Sequence, residues 1–239
     1  YQVCRRILAE LDEAESNAAS RRQEVSGLLR VSLPVAFGQR WVLRVLIGRA
    51  KRHWRLQLDV RFTDRRVDLL EKNVDLAVRL GPLDDSSSLS ARALGRQHAV
   101  ICAAPGYLAA RGVPVRAEDL AGHDCITFGR QGHALPWTVP DGSGGLVQHR
   151  IEGRHRISDG DALRSALLAG LGIAEATTWL VGDALRSGAL VAVFPATGSA
   201  GAPLHALWPT TRDLAPKVRA TVDALVEAFV PSPPWENTR

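Results

Sequence analysis

The sequence predicts an α/β protein of two alternating units preceded by a separate helix, and three observations carry that reading. Apolar runs with strand character alternate with helical spacing as β-α-β-α-β over residues 28–80, an order that calls for a parallel sheet with right-handed crossovers. The alternation resumes after residue 103, with short strands and glycine turns set into it. Ahead of both, residues 1–24 place Cys4, Ile7, Leu11, Ala14 and Ala18 at heptad spacing with Val25, interrupted by Arg21. Such a narrow seam suits packing against another helix, in the same domain or in a second subunit.

The elements follow in order. Residues 28–33 form a short apolar strand ended by Pro34, and residues 38–53 carry helical spacing at Trp41, Val42, Val45, Leu46 and Arg49. Leu56, Leu58, Val60 and Phe62 alternate as one face of a strand. Asp64 is placed as the N-cap of a short helix through Val67, Leu69 and Leu70. Residues 75–80 are a third strand, closed by Gly81-Pro82, and a polar loop with Ser86, Ser87 and Ser88 leads to a fourth at 97–103. Pro105-Gly106 opens a short helical turn. Strands are expected at 125–128, 137–139 and 146–151, then a helix over 159–169 stopped by Gly170 and Gly172. A strand at 173–176, a helix at 178–186 and a strand at 190–194 continue the second unit, and a final strand at 204–208 is expected to return with the last helix to the first. The last helix, 215–230, turns Val218, Val222, Leu225, Val226 and Phe229 inward, and Pro231 stops it.

Composition excludes several classes. A chain of 239 residues with 46% hydrophobic and 23% charged residues buries about 70–75% of its unfolded surface, so neither disorder nor a disulfide scaffold is needed. Three cysteines, Cys4, Cys102 and Cys125, suit a reducing, cytoplasmic setting. No apolar run approaches the roughly 20 residues of a membrane span, and no membrane partner is expected. The chain opens at Tyr1 and holds no Met, so residue 1 is expected not to be the natural start. The net charge of +5, with Lys confined to Lys51, Lys72 and Lys217, permits nucleic-acid contact without requiring it.

Catalytic and metal patterns are weak. There is no Gly-x-Ser-x-Gly elbow, Walker loop or Gly-x-Gly-x-x-Gly after a strand. His123-Asp124-Cys125 would alternate faces on a strand, and zinc spacing is absent. No cofactor or metal is expected. A binding crevice fits better. Helix starts follow strand ends after Pro34, after Thr63-Asp64 and after Ser158-Asp159, and in an open parallel sheet that edge presents partly positive amides to a ligand. A small anion suits such an edge. Arg79, at the end of the third strand, adds a charge-assisted contact, unless a neighbouring carboxylate claims it. Thr63 and Thr127 are hydroxyl candidates, for ligand or for local capping. Trp137, Phe37 and Phe128 allow an aromatic ring.

Six stretches in register resemble one family. Residues 27–38 (GLLRVSLPVAFG), 56–64 (LQLDVRFTD), 67–81 with VDLLE and DLAVRLG, 91–95 (ARALG), 104–108 (APGYL) and 169–174 (AGLGIA) are similar to the effector-binding domain of LysR-type transcriptional regulators. The resemblance implies two Rossmann-like subdomains of periplasmic-binding-protein type II architecture behind an N-terminal linker helix. It divides the chain into a linker at 1–26, subdomain I at 27–102 and 206–230, subdomain II at 103–205 and a tail at 231–239.

It also implies a small-molecule effector in the cleft between the subdomains. The matching contact positions are Pro34, Val35, Phe37, Thr63 and Arg79 from the first subdomain and Thr127, Phe128, Asp159, Asp161 and Ala176 from the second. Homodimers pairing subdomain I against subdomain II are implied, or a tetramer in the full-length protein, with DNA bound through an N-terminal winged helix-turn-helix. The first helix departs from the family pattern: Arg40, Arg44, Arg49, Lys51 and Arg52 stand where many relatives carry proline and apolar residues. Two other classes share the scaffold. A solute-binding protein of a transporter would have little use for the heptad seam. An enzyme would have to draw on Asp159, Asp161 and Thr63.

Overall fold

The computed structural model describes residues 24–65, 69, 72–130, 133–134, 136–141, 145–194, 201–210 and 214–236. The linker helix expected over 1–26 lies outside them up to residue 23, and residues 24–26 are not helical. In chain order the elements are β1 (Gly27–Leu33), helical turns Val35–Phe37 and Gly38–Val42 (the latter π-helical) running into α1 (Leu43–Arg52), β2 (Leu56–Phe62), β3 (Leu76–Leu80), β4 (Leu89–Gln97) and β5 (Ala99–Ala103). Then come α2 (Pro105–Arg111), a 3-10 turn at Ala117–Gly122, β6 (Ile126–Arg130), β7 (His133–Ala134), β8 (Trp137–Pro140), β9 (Leu146–His149) and β10 (His155–Ile157). The chain ends with α3 (Gly160–Leu168), β11 (Ile173–Thr177), α4 (Thr178–Arg186), β12 (Val191–Ala192), β13 (Ala202–Pro209) and α5 (Pro216–Phe229).

Two compact units form. The first takes the chain through Arg96 together with Pro203–Pro234, and the second takes Gln97–Ala202 with the segment from Trp235. The first crossing therefore falls at Gln97 rather than after residue 102, because β5 pairs antiparallel with β11 and β12. The return falls at Pro203, and within the segment expected as a tail Trp235, 4% exposed, belongs to the second unit.

The first unit is a five-stranded sheet in the order β2-β1-β3-β13-β4. β1 runs parallel to β2, from Gly27 opposite Leu56 to Leu33 opposite Phe62, and parallel to β3. β13 is antiparallel to β3. Leu29, Val31, Leu33, Leu76 and Val78 are buried from the sheet, and α5 packs against both β1 and α1. Proline at its first turn and the spacing Val218, Val222, Leu225, Phe229 give α5 its start and its inward face. Lys217, nearly buried beside it, donates to the Leu28 carbonyl at 2.6 Å and lies 3.5 Å from Asp75. Gly38 begins the π-helical turn where a Cβ would sit 2.6 Å from the Leu33 Cβ.

β4 was not expected at 89–97: apart from buried Leu94 its residues are half-buried or exposed, and its burial follows no alternation that a pattern would reveal. The helix expected from Asp64 falls largely outside the described residues. Asp64 itself caps another helix: its Oδ1 accepts the Val35 N–H at 3.2 Å.

In the second unit β10-β6-β7 and β11-β5-β12 form two three-stranded sheets, linked by a parallel bridge between Cys125 and Ile173. β8 and β9 form a separate antiparallel hairpin. Its inner face, Trp137 and Val139, packs with Ile101, Tyr107, Cys125, Ile151 and Ile173 in one core. Gly172 lets β11 start close against the segment just ahead of β6, since a Cβ there would fall on the Asp124 carbonyl oxygen. The strand expected over 190–194 shrinks to Val191–Ala192.

Candidate functional site

In the first unit the parallel strands β1, β2 and β3 end together, and the candidate residues gather at that edge. Pro34 stops β1, and Val35 opens the helical run with its amide held by Asp64. The Thr63 N–H donates to the Leu33 carbonyl at 2.8 Å, tying the end of β2 to the end of β1. The Thr63 hydroxyl accepts the Arg65 N–H at 3.2 Å, a local turn contact. Arg79 reaches back across β1: Nη2 donates to Ser32 Oγ at 3.2 Å, and Nη1 to the carbonyls of Val78 at 2.9 Å and Ser32 at 3.4 Å. Its guanidinium is thereby fixed at the carboxyl ends of the strands.

Phe37 is different. Its ring has no exposed surface and meets Phe229 edge-on at 6.1 Å between centroids. It is part of the core of this unit, so only its backbone belongs to the edge.

In the second unit β6 and β10 run parallel, with Phe128 opposite Ile157. The chain turns directly from β10 into α3. Asp159 is the N-cap, its Oδ1 accepting the Ala162 N–H at 2.8 Å, and Asp161 follows in the first turn. Both carboxylates complement the positive end of the helix. β11 lies parallel to β6 through the Cys125–Ile173 bridge, which brings Ala176, at the carboxyl end of β11, to the same edge. Phe128 is half-buried there. Thr127 is buried, and its hydroxyl donates to the His155 carbonyl at 3.2 Å. That side chain joins β6 to β10.

Three expectations are corrected by this geometry. The helix amides read as bare anion donors already have partners within the chain at Val35 and Ala162, because short acidic side chains from neighbouring loops reach them first. Trp137, 2% exposed, is sealed in the core of its unit and offers no ring to a ligand. Neither does Phe37. Phe128 is the aromatic of the three that retains some exposure.

Two groups at these edges were missed. His205 on β13 lies directly opposite Arg79; burial lowers its pKa, and its Nδ1 is buried with no hydrogen-bond partner among the described residues. Its pairing depends on β13 returning from the far end of the chain, which no local pattern encodes. Glu175 on β11 accepts the Thr138 N–H at 2.9 Å, and burial pushes its carboxyl above the usual range despite that bond. Its position next to Ala176 was the available signal. Among the described residues no group of three or more His, Cys, Asp or Glu is placed to hold a metal ion.

The comparisons with known proteins agree with this architecture. The family model described as LysR substrate binding domain matches residues 22–230. The transcriptional regulator CrgA of Neisseria meningitidis serogroup C is 32% identical over 232 residues, covering 95% of this chain and 75% of that protein. The solved CrgA regulatory domain from Neisseria meningitidis superposes with a TM-score of 0.75 at 30% identity, over 85% of this chain and 99% of that one. The full-length Vibrio cholerae virulence activator AphB gives a TM-score of 0.79 at 25% identity, over 96% of this chain and 78% of that one. The chain thus belongs to the LysR substrate-binding-domain family, with that family's periplasmic-binding-protein-like fold, and is the effector-sensing domain of a LysR-type transcriptional regulator.

Proposed function

We propose that this domain senses a small anionic co-inducer held by the two strand edges described above, with Pro34, Val35, Thr63 and Arg79 on one side and Phe128, Asp159, Asp161 and Ala176 on the other. The observation that carries the reading is Arg79, whose guanidinium is fixed by Ser32 and Val78 at the carboxyl ends of three strands. A carboxylate there would receive charge-assisted hydrogen bonds from a donor already held in position. Phe37 contributes backbone only, and Thr127 contributes the rigidity of the β6–β10 pair. Binding would favour one arrangement of the two subdomains only to the extent that the ligand prefers it, and the linker would carry that preference to DNA-binding heads.

LysR-family regulators bind small molecules and DNA and form oligomers, and the relatives of this chain are transcriptional regulators. On that basis we place the protein in the cytoplasm, as a homodimer or, at full length, a tetramer, with a sensing role rather than a catalytic one. No helix among the described residues is long and apolar enough to cross a membrane.

A thermal-shift screen of small carboxylates, aromatic acids and amino acids tests the reading. A ligand at a hundred times its Kd is expected to stabilise the domain by about 2.7 kcal/mol. Arg79→Ala is expected to abolish that shift. A ligand that stabilises Arg79→Ala as strongly as the parent, or one that carries no negative charge, overturns the anionic assignment.

A further inference from the structure

β13 carries one titratable side chain to the edge where Arg79 lies. Leu204 and Ala206 are fully buried on one face of that strand, and His205 stands between them on the other. The antiparallel register with β3 sets His205 directly opposite Arg79, and the ladder continues in the hydrogen bond from the Gly81 N–H to the Pro203 carbonyl at 2.8 Å. Residues paired in this way share a face, with Cβ atoms about 5 Å apart. The imidazole and the guanidinium therefore leave the sheet on the same side. Leu207, next along that face, packs with Leu69, Val74 and Ala77, which gives the ring an apolar neighbourhood.

Arg79 is held in place by Ser32 and Val78. His205 has no such arrangement: its Nδ1 is buried and makes no hydrogen bond among the described residues. Buried polar atoms in folded chains almost always have a partner. Packing explains a ring at this position but not the nitrogen, since an apolar side chain like that of Leu204 or Leu207 would fill the space without burying a polar atom. The surroundings limit what the partner can be. The charged groups on the flanking strands are Arg79 on β3 and Arg92 and Arg96 on β4, and β3, β4 and β13 contain no Asp or Glu. The loop between β3 and β4 carries Asp84 and Asp85. Burial lowers the pKa of His205, so the free protein holds a neutral ring at neutral pH.

We propose that His205 is a second effector-contacting residue at this edge, its Nδ1–H donating to one oxygen of a carboxylate whose other oxygen is held by Arg79. The inference rests on the anionic reading of Arg79 and adds a specificity to it. A carboxylate offers an acceptor to each donor, whereas the amide of the same acid would turn an N–H toward one of them. Binding also becomes dependent on pH. The anion favours the imidazolium, in which Nδ1 always carries hydrogen, so a proton is taken from solvent as the carboxylate enters. Affinity then rises as pH falls from the midpoint of the bound form to that of the free form.

The probe is formate, the smallest carboxylate, added to the 239-residue chain with sodium chloride at matched ionic strength as control. NMR follows the His205 ring protons, assigned by their loss in His205→Gln, through a pH titration with and without saturating formate. The midpoint is expected to rise by about one pH unit, which by linkage is a roughly tenfold gain in formate affinity at low pH. His205→Gln is expected to bind formate more weakly and without that pH dependence, and Arg79→Ala to lose binding. An unmoved His205 midpoint, with formate still bound in an Arg79-dependent way, overturns this inference and leaves the anionic reading standing. So does a His205→Gln protein with an altered melting temperature but an unaltered pH dependence, the mark of a structural role. Formate binding that survives Arg79→Ala, or a parent chain that binds no formate, overturns both.

Discussion

Glu175 keeps a carboxyl group under the β8–β9 hairpin, where ionisation is costly, and the hydrogen bond it accepts from the Thr138 amide only partly offsets burial. A carboxyl whose folded-state pKa is raised favours the folded protein while protonated. That stabilisation is complete below the unfolded-state value and is lost as pH rises through the raised folded value. Glu175→Gln is therefore expected to be more stable than the parent at neutral pH and to lose the part of the pH dependence that lies above the ordinary glutamate range. Urea denaturation of both proteins at mildly acidic and neutral pH measures this, and an equal slope with pH in the two would refute it. The two described thiols titrate in the same direction: burial pushes Cys102 up to about 12 and Cys125 to about 11, the latter with help from Asp124. Neither is expected to react with a maleimide in the native state, while both should react in denaturant. At this scale the sequence reveals residue type and little of orientation. Phe37 and Thr127 sit at the edge positions their motifs imply, yet a phenyl ring is drawn into the core by Phe229 and a hydroxyl is claimed by the nearest carbonyl.

Among elements, those with a strong period or a named stop signal were the legible ones. β2 and α4 match their expected bounds, and α3 begins at its acidic cap and ends before Gly170, whose φ of +73° suits glycine. Replacing Asp159 by Ala removes the acceptor for the Ala162 amide and is expected to cost about 1 kcal/mol, whereas Asn or Ser should restore most of it. Chemical denaturation distinguishes the three. A cost shared equally by Asn and Ala would mean that charge rather than capping matters there. Gly172→Ala should be worse, by about 1–3 kcal/mol, since its methyl group would meet the fixed Asp124 backbone rather than a side chain that can move. The elements that escaped notice are those whose existence depends on a distant partner. β4 carries no alternating pattern of its own, and its neighbour β13 comes more than a hundred residues later. β12 is two residues long because pairing with β5 sets its length, not its own apolar run.

At the scale of the whole molecule, the alternation of strands and helices reveals two α/β units, and the points where the chain passes between them were displaced by a few residues. Those points are set by hydrogen-bond pairing across long separations, which composition does not record. The second unit is built mainly from one continuous stretch, Gln97–Ala202, and the first from two. A fragment covering residues 97–202 is accordingly expected to unfold cooperatively by itself. Residues 24–96 alone should not, because β13 stands between β3 and β4 and α5 covers β1. Circular dichroism melts of the two fragments decide the matter, and a cooperative transition in the shorter piece would contradict the assignment.

The late position of β13 has a consequence for how the protein is made. A ribosome releases β1, β2, β3 and β4 long before the strand that must enter between the last two. Until residue 209 emerges, the nascent chain carries a sheet with a vacant lane between β3 and the edge strand β4. Unpaired strand edges of that kind attract other chains, so the interval between synthesis of β4 and of β13 is when a chaperone would matter most to this protein.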